Sequence, residues 1–81
     1  MTAFQKNRIE DELNSVRKAI DRWDAKMDAA EAKGDMERYA KCDKLQDFEL
    51  ERLKAMEKIL RIMGYHVIQG KDDEPWFICE I

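Results

Sequence analysis

Seven apolar residues in the first part of the chain, Ile9, Leu13, Val16, Ile20, Trp23, Met27 and Ala30, are spaced 4-3-4-3-4-3. The repeat averages about 3.5 residues, which draws one narrow apolar seam along an α-helix. A seam this thin belongs to a coiled coil rather than to a helix with a broad globular-core face. It needs a second helix of similar length to close on it. Thr2 and Gln5 have the spacing of a capping box at the start. Asn14 and Ser15 are weak helix formers and fall beside the seam. The first helix is expected over residues 3–33.

Ala32-Lys33-Gly34-Asp35-Met36-Glu37 then supplies turn chemistry. Gly34 suits the left-handed position that ends a helix, Asp35 is a good N-cap, and Glu37 complements the N-terminal dipole of the helix that follows. A link this short makes neighbouring helices antiparallel. The second helix is expected over residues 35–63. Folding about Gly34 brings Ala30 to Tyr39, Met27 to Cys42, Val16 to Leu53, Leu13 to Met56 and Ile9 to Leu60. Tyr39, Cys42, Leu53, Met56, Leu60 and Met63 therefore form the matching seam. Gln46 and Glu49 interrupt it opposite Trp23 and Ile20, so the packing must shift there.

A second apolar row remains on this helix: Leu45, Phe48, Ala55, Ile59 and Ile62. Residues 53–63 are consequently apolar over about half the circumference. One partner with a narrow seam cannot cover that arc. The segment after Gly64 is expected to cover part of it. Tyr65–Gln69 and Trp76–Ile81 are rich in β-branched and aromatic residues, and Gly70–Pro75 between them reads as a turn, which together predict a β-hairpin over 65–81. Folded back, the hairpin has the length to reach Ile62, Ile59 and Ala55, but not Leu45 or Phe48. Two-stranded hairpins are marginal alone, so both the residual apolar row and the open strand edges favour self-association, most simply as a twofold dimer. The fold class is thus mainly α: an antiparallel coiled-coil-like helical hairpin with a short C-terminal β-hairpin, one domain of 81 residues, self-associating into a bundle.

Charge narrows the function. The chain has 15 basic and 18 acidic side chains and a net charge of −3. Each helical segment carries seven of either sign, so the excess lies in the tail, where Asp72, Asp73, Glu74 and Glu80 face Lys71 alone. Balanced helices look like solvated faces, and no net basic surface is available for phosphates. On the first helix Asp21, Asp24, Asp28 and Glu31 line one flank and Lys18, Arg22, Lys26 and Lys33 the other, which favours one direction of packing for a neighbouring helix.

Reactive chemistry is sparse. His66 is the only histidine, and its spacing from Cys42 and Cys79 does not resemble a zinc site. Both cysteines read as reduced and buried. Asp72-Asp73-Glu74 lacks the alternating ligands of a calcium loop, and there is no glycine-rich phosphate loop. Thr2 and Ser15 stand near no base. No catalytic, cofactor or metal site is expected, nor a membrane span or signal sequence, and the cytoplasm is the expected location.

The expected function is a non-enzymatic protein–protein interaction module. It homo-oligomerises through Leu45, Phe48, Ala55, Ile59 and Ile62 and meets a partner protein through Asp72, Asp73, Glu74 and Trp76. One alternative is a small phage or mobile-element accessory protein that inhibits a nucleic-acid-processing machine by covering its basic surface. A second is a nucleic-acid-binding regulator using the Lys18, Arg22, Lys26 and Lys33 strip. A third is an enzyme or ligand-binding protein with its site between subunits around Tyr65, His66 and Trp76.

Overall fold

The computed structural model describes all 81 residues as α1 (Ala3–Ala32), α2 (Met36–Ile62), β1 (Tyr65–Ile68) and β2 (Phe77–Glu80). The helices form an antiparallel hairpin, and the strands form a two-stranded antiparallel sheet packed against one end of it. The particle is a rod of 47 × 23 × 18 Å.

Each helix boundary has a local cause. Thr2 Oγ1 accepts the Gln5 N–H at 3.1 Å while Gln5 Oε1 accepts the Thr2 N–H at 2.9 Å, completing the capping box. At the turn Gly34 takes φ 70°, and the Gly34 and Asp35 N–H groups donate to the Glu31 and Ala30 carbonyls at 3.0 and 2.9 Å. These two hydrogen bonds satisfy two of the last carbonyls of α1 as the chain reverses. Asp35 then caps α2 by accepting from the Arg38 N–H at 3.1 Å.

The core sits at the end of the hairpin farthest from this turn. Leu13, Val16, Leu53, Leu60 and Ile78 form its buried centre, with Ile9, Ile20, Met56, Tyr65, Val67 and Trp76 packed around them. Toward the turn Met27, Ala30 and Cys42 form a smaller buried group. The interruption by Gln46 and Glu49 is accommodated rather than excluded. Gln46 Nε2 donates to the Ile20 carbonyl at 3.2 Å, and Glu49 lies half-buried with Arg52 at 3.8 Å. Cys42 and Cys79 are free thiols.

The β-hairpin pairs Tyr65 with Glu80, His66 with Cys79, Val67 with Ile78 and Ile68 with Phe77. The Ile81 N–H donates to the Gly64 carbonyl at 2.9 Å, continuing the ladder by one pair. Hydrogen-bonded and non-bonded pairs alternate in such a ladder, so Trp76 and Ile78 turn their backbone groups outward on β2 and Tyr65 and Val67 theirs on β1. The β2 edge is sealed by α1. Asn14 Nδ2 donates to the Trp76 carbonyl at 2.9 Å, Asn14 Oδ1 accepts the Trp76 N–H at 2.8 Å, and Glu10 Oε2 accepts the Ile78 N–H at 2.9 Å. Two side chains one helical turn apart thus replace a third strand.

This seat corrects two expectations. The hairpin does not cover Ile62, Ile59 and Ala55, which remain exposed. It seals the Leu13–Leu60 groove from the flank of α2 that carries Leu50, Glu57 and Arg61, with Val67 and His66 beside Glu57 and Arg61. Ala55, Ile59 and Ile62 lie about 100–180° round the helix from Leu60 and Leu53, away from the hairpin. The polar anchors decide the matter, because Glu10 and Asn14 hold β2 on α1. Met63 is the second correction: it caps the C-terminus of α2 and is exposed, while Ile78 closes the seam over Leu60.

Replacing a mid-helix Asn by Ala normally stabilises an exposed helix by a few tenths of a kcal/mol. Asn14→Ala is expected to do the reverse, because it strands the Trp76 N–H and carbonyl. The expected loss is about 2 kcal/mol, or roughly 10 °C in Tm for a domain of this size. Thermal unfolding followed by circular dichroism checks this against the exposed Asn7→Ala, which should be neutral or slightly stabilising.

Candidate functional site

The outer face of α2 carries a row of exposed apolar side chains. Leu45, Phe48, Ile59 and Ile62 are 47, 69, 58 and 78% exposed, and Ala55 between them is exposed as well. These residues share a side of the helix because steps of three and four bring successive residues back to the same face. Isolated apolar side chains on a surface are ordinary, but a contiguous row is not. Full burial of one such side chain is worth about 1.5–3 kcal/mol. The row carries one charged residue, Arg52, whose guanidinium pairs with the Glu12 carboxylate on α1 and reaches Glu49 at 3.8 Å.

At the open end of the hairpin lies an apolar hollow of about 610 Å³. Met1, Phe4, Ile9, Met63 and Tyr65 line it, with Arg8 stacked on Phe4 at 5.8 Å from the ring centroid. No acidic group lines it.

The acidic turn is well fixed although its side chains are exposed. The Glu74 N–H donates to the Lys71 carbonyl at 2.9 Å, and Arg17 Nη1 donates to the Glu74 carbonyl at 2.8 Å. Asp72 takes φ 52°, a conformation that Asp tolerates better than most residues. Gly70 sits directly under the Glu74 and Pro75 backbone, where a Cβ has no space. Asp72, Asp73 and Glu74 therefore present three carboxylates on a hydrogen-bonded turn. Trp76 does not join them. It is half-buried against the core, its ring covered by the Arg17 guanidinium at 6.0 Å and its Nε1 buried without a hydrogen-bond partner. The exposed aromatic of this region is Phe77.

The remaining sequence candidates are dispersed. Lys18, Arg22, Lys26 and Lys33 are all exposed along α1, and Lys26 Nζ stacks on the Trp23 ring at 4.7 Å. His66 is half-buried in β1 beside Glu57 and Arg61. No three His, Cys, Asp or Glu side chains converge as metal ligands would. No helix is long and apolar enough to cross a membrane. The outward backbone groups of Tyr65 and Val67 have no partner within the chain, so β1 is the open edge of the sheet.

Residue spacing alone reveals the α2 row and the acidic turn. It does not reveal Glu10, Asn14 and Arg17 as the anchors of the tail. Asn14 carries a signal, since a poor helix former in mid-helix invites the question of what it bonds. No protein-family model, curated protein or solved structure matches this chain.

Gly70→Ala is expected to destabilise the turn by about 1–3 kcal/mol, because the added methyl must displace the backbone carrying Glu74 and Pro75. Thermal unfolding measures the loss. A shift below about 0.5 kcal/mol indicates that the turn yields easily and does not hold its carboxylates in place.

Proposed function

We propose that this protein is a non-enzymatic interaction module that associates with itself through the outer face of α2 and offers its acidic turn to a basic partner protein. One observation carries the self-association: Phe48, Ile59 and Ile62 stand exposed in a row on a helix whose other face is already closed by α1 and the β-hairpin. No folded segment of the chain is left to cover that row, because all four elements are engaged elsewhere. A second copy brings an identical row, so burial is doubled for each contact made.

The acidic turn supports the second half of the proposal. Three of the four tail carboxylates lie in it, and a hydrogen-bonded turn lowers the ordering cost of docking. Complementary charge steers encounter and suppresses partners of the wrong sign. Inhibition of a nucleic-acid-processing machine is one use of such a surface. Direct nucleic-acid binding is less well supported, since Lys18, Arg22 and Lys26 share α1 with Asp21, Asp24 and Asp28 and the chain is acidic overall.

Sedimentation equilibrium across the micromolar range tests self-association. The expected result is a reversible dimer for the wild type and a monomer with unchanged helicity for Phe48→Asp. Phe48 is 69% exposed within one chain, so the substitution leaves the monomer fold within about 0.5 kcal/mol of its original stability. A wild-type monomer at every concentration overturns the assignment.

A further inference from the structure

The outer face of α2 has a symmetry that says how two copies meet. Leu45, Phe48, Arg52, Ala55, Ile59 and Ile62 are spaced 3-4-3-4-3, a pattern that reads the same from either end. Its midpoint falls between Leu53 and Lys54. Turned end for end and laid on itself, the row matches each of its large apolar residues to another. Leu45 meets Ile62 of the second copy, Phe48 meets its Ile59, and Arg52 meets its Ala55, each contact occurring twice about a twofold axis. We infer that α2 pairs antiparallel with α2 of a second copy in this register, forming a four-helix assembly with the two α1 helices and β-hairpins outermost. The inference rests on the proposed self-association through this face and adds its direction and register.

Three features select the antiparallel arrangement. The first is the central layer. In a parallel pair Arg52 stacks on Arg52 and Ala55 on Ala55, which sets like charges together and leaves a hole beside them. In the antiparallel pair the small Ala55 makes room for the Arg52 stem. The second is that Arg52 already has its counterion, because its guanidinium pairs with Glu12 of its own chain, so the stem enters the seam without an unpaired charge.

The third is charge complementarity along the edge. Glu51 and Lys58 precede the seam residues Arg52 and Ile59 by one position and so flank the row on the same side. In the antiparallel register Glu51 of each copy comes beside Lys58 of the other, giving two opposite-sign pairs per dimer. Within one chain Glu51 contacts only Lys54, at 3.3 Å, with both side chains more than two-thirds exposed. Such an exposed pair is weak and exchangeable. Lys58 has no ion-pair partner within the chain.

Charge exchange tests the register. Glu51→Lys sets two ammonium groups against each other at both edges of the dimer, and Lys58→Glu sets two carboxylates there instead. Each single variant is expected to weaken dimerisation about fivefold or more in sedimentation equilibrium. The double variant restores opposite signs at the wild-type net charge and is expected to dimerise within about twofold of the wild type. Mixing the two single variants is expected to give a heterodimer tighter than either homodimer, since each edge then carries a like-signed pair no longer. Circular dichroism on each variant establishes that the helices persist. A wild-type dimer whose double variant is as weak as the singles, with no gain on mixing, overturns the antiparallel register while leaving self-association standing. A wild-type monomer removes both.

Discussion

Two helices that touch along one seam enclose few side chains completely, because solvent reaches the seam from both flanks. This geometry governs the structure. Near the turn, where only α1 and α2 meet, the buried residues are few and small or flexible: Ala30, Met27 and Cys42. At the other end the β-hairpin adds a third wall, and there Leu13 and Ile78 lose all contact with water and Val16 nearly all. The hydrophobic core is therefore made by the tail as much as by the helices. Its burial on β2 depends in turn on polar groups, since Ile78 reaches the groove only while Glu10 and Asn14 satisfy the backbone that carries it.

Those anchors also settle which flank of the groove is sealed. Apolar attraction alone favours the far side bearing Ala55, Ile59 and Ile62 over the flank of Leu50 and Glu57. Hydrogen bonds discriminate, because a strand edge left unpaired against a protein surface costs more than a modest difference in apolar area gains. α1 carries acceptor and donor side chains one turn apart at Glu10 and Asn14, matching alternate residues of an extended strand. The hairpin docks where its edge is satisfied and leaves the greasier face bare. Sealing β2 also leaves β1 as the single unpaired edge, beside the charged side chains of Glu57 and Arg61.

Periodicity made the larger architecture legible in the sequence. The 4-3 repeat of Ile9 to Ala30, the Gly34-Asp35 turn and the β-branched tail are local signals, each deciding one element by short-range physics. The existence of a surplus row on α2 followed from counting apolar positions against one thin partner seam. The docking side of the tail did not follow, because it depends on contacts such as Asn14 to Trp76 that join residues far apart in sequence. The same holds for Trp76. It is expected from the sequence to meet a partner together with Asp72, Asp73 and Glu74, whereas Arg17 holds the loop on α1 and the indole packs against the core. Long-range polar contacts leave no periodic trace, so spacing finds the faces of a helix but not what is fastened to them.

The division of α2 into a closed face and a bare one bears on the character of the proposed assembly. Each copy folds with its own core, supplied by α1 and the hairpin, so association is not needed to bury Leu13 or Ile78. The seam between copies draws on Leu45, Phe48, Ile59 and Ile62, while its central layer of Arg52 and Ala55 contributes little apolar burial. Arg52 belongs to both levels at once: its guanidinium is held on Glu12 of α1, and its stem lies in the outer row. The helical hairpin must therefore be closed, with Glu12 in place, before Arg52 can enter a seam without a stranded charge. In the proposed assembly, a contact with a polar centre between two such rods favours specificity of direction over strength.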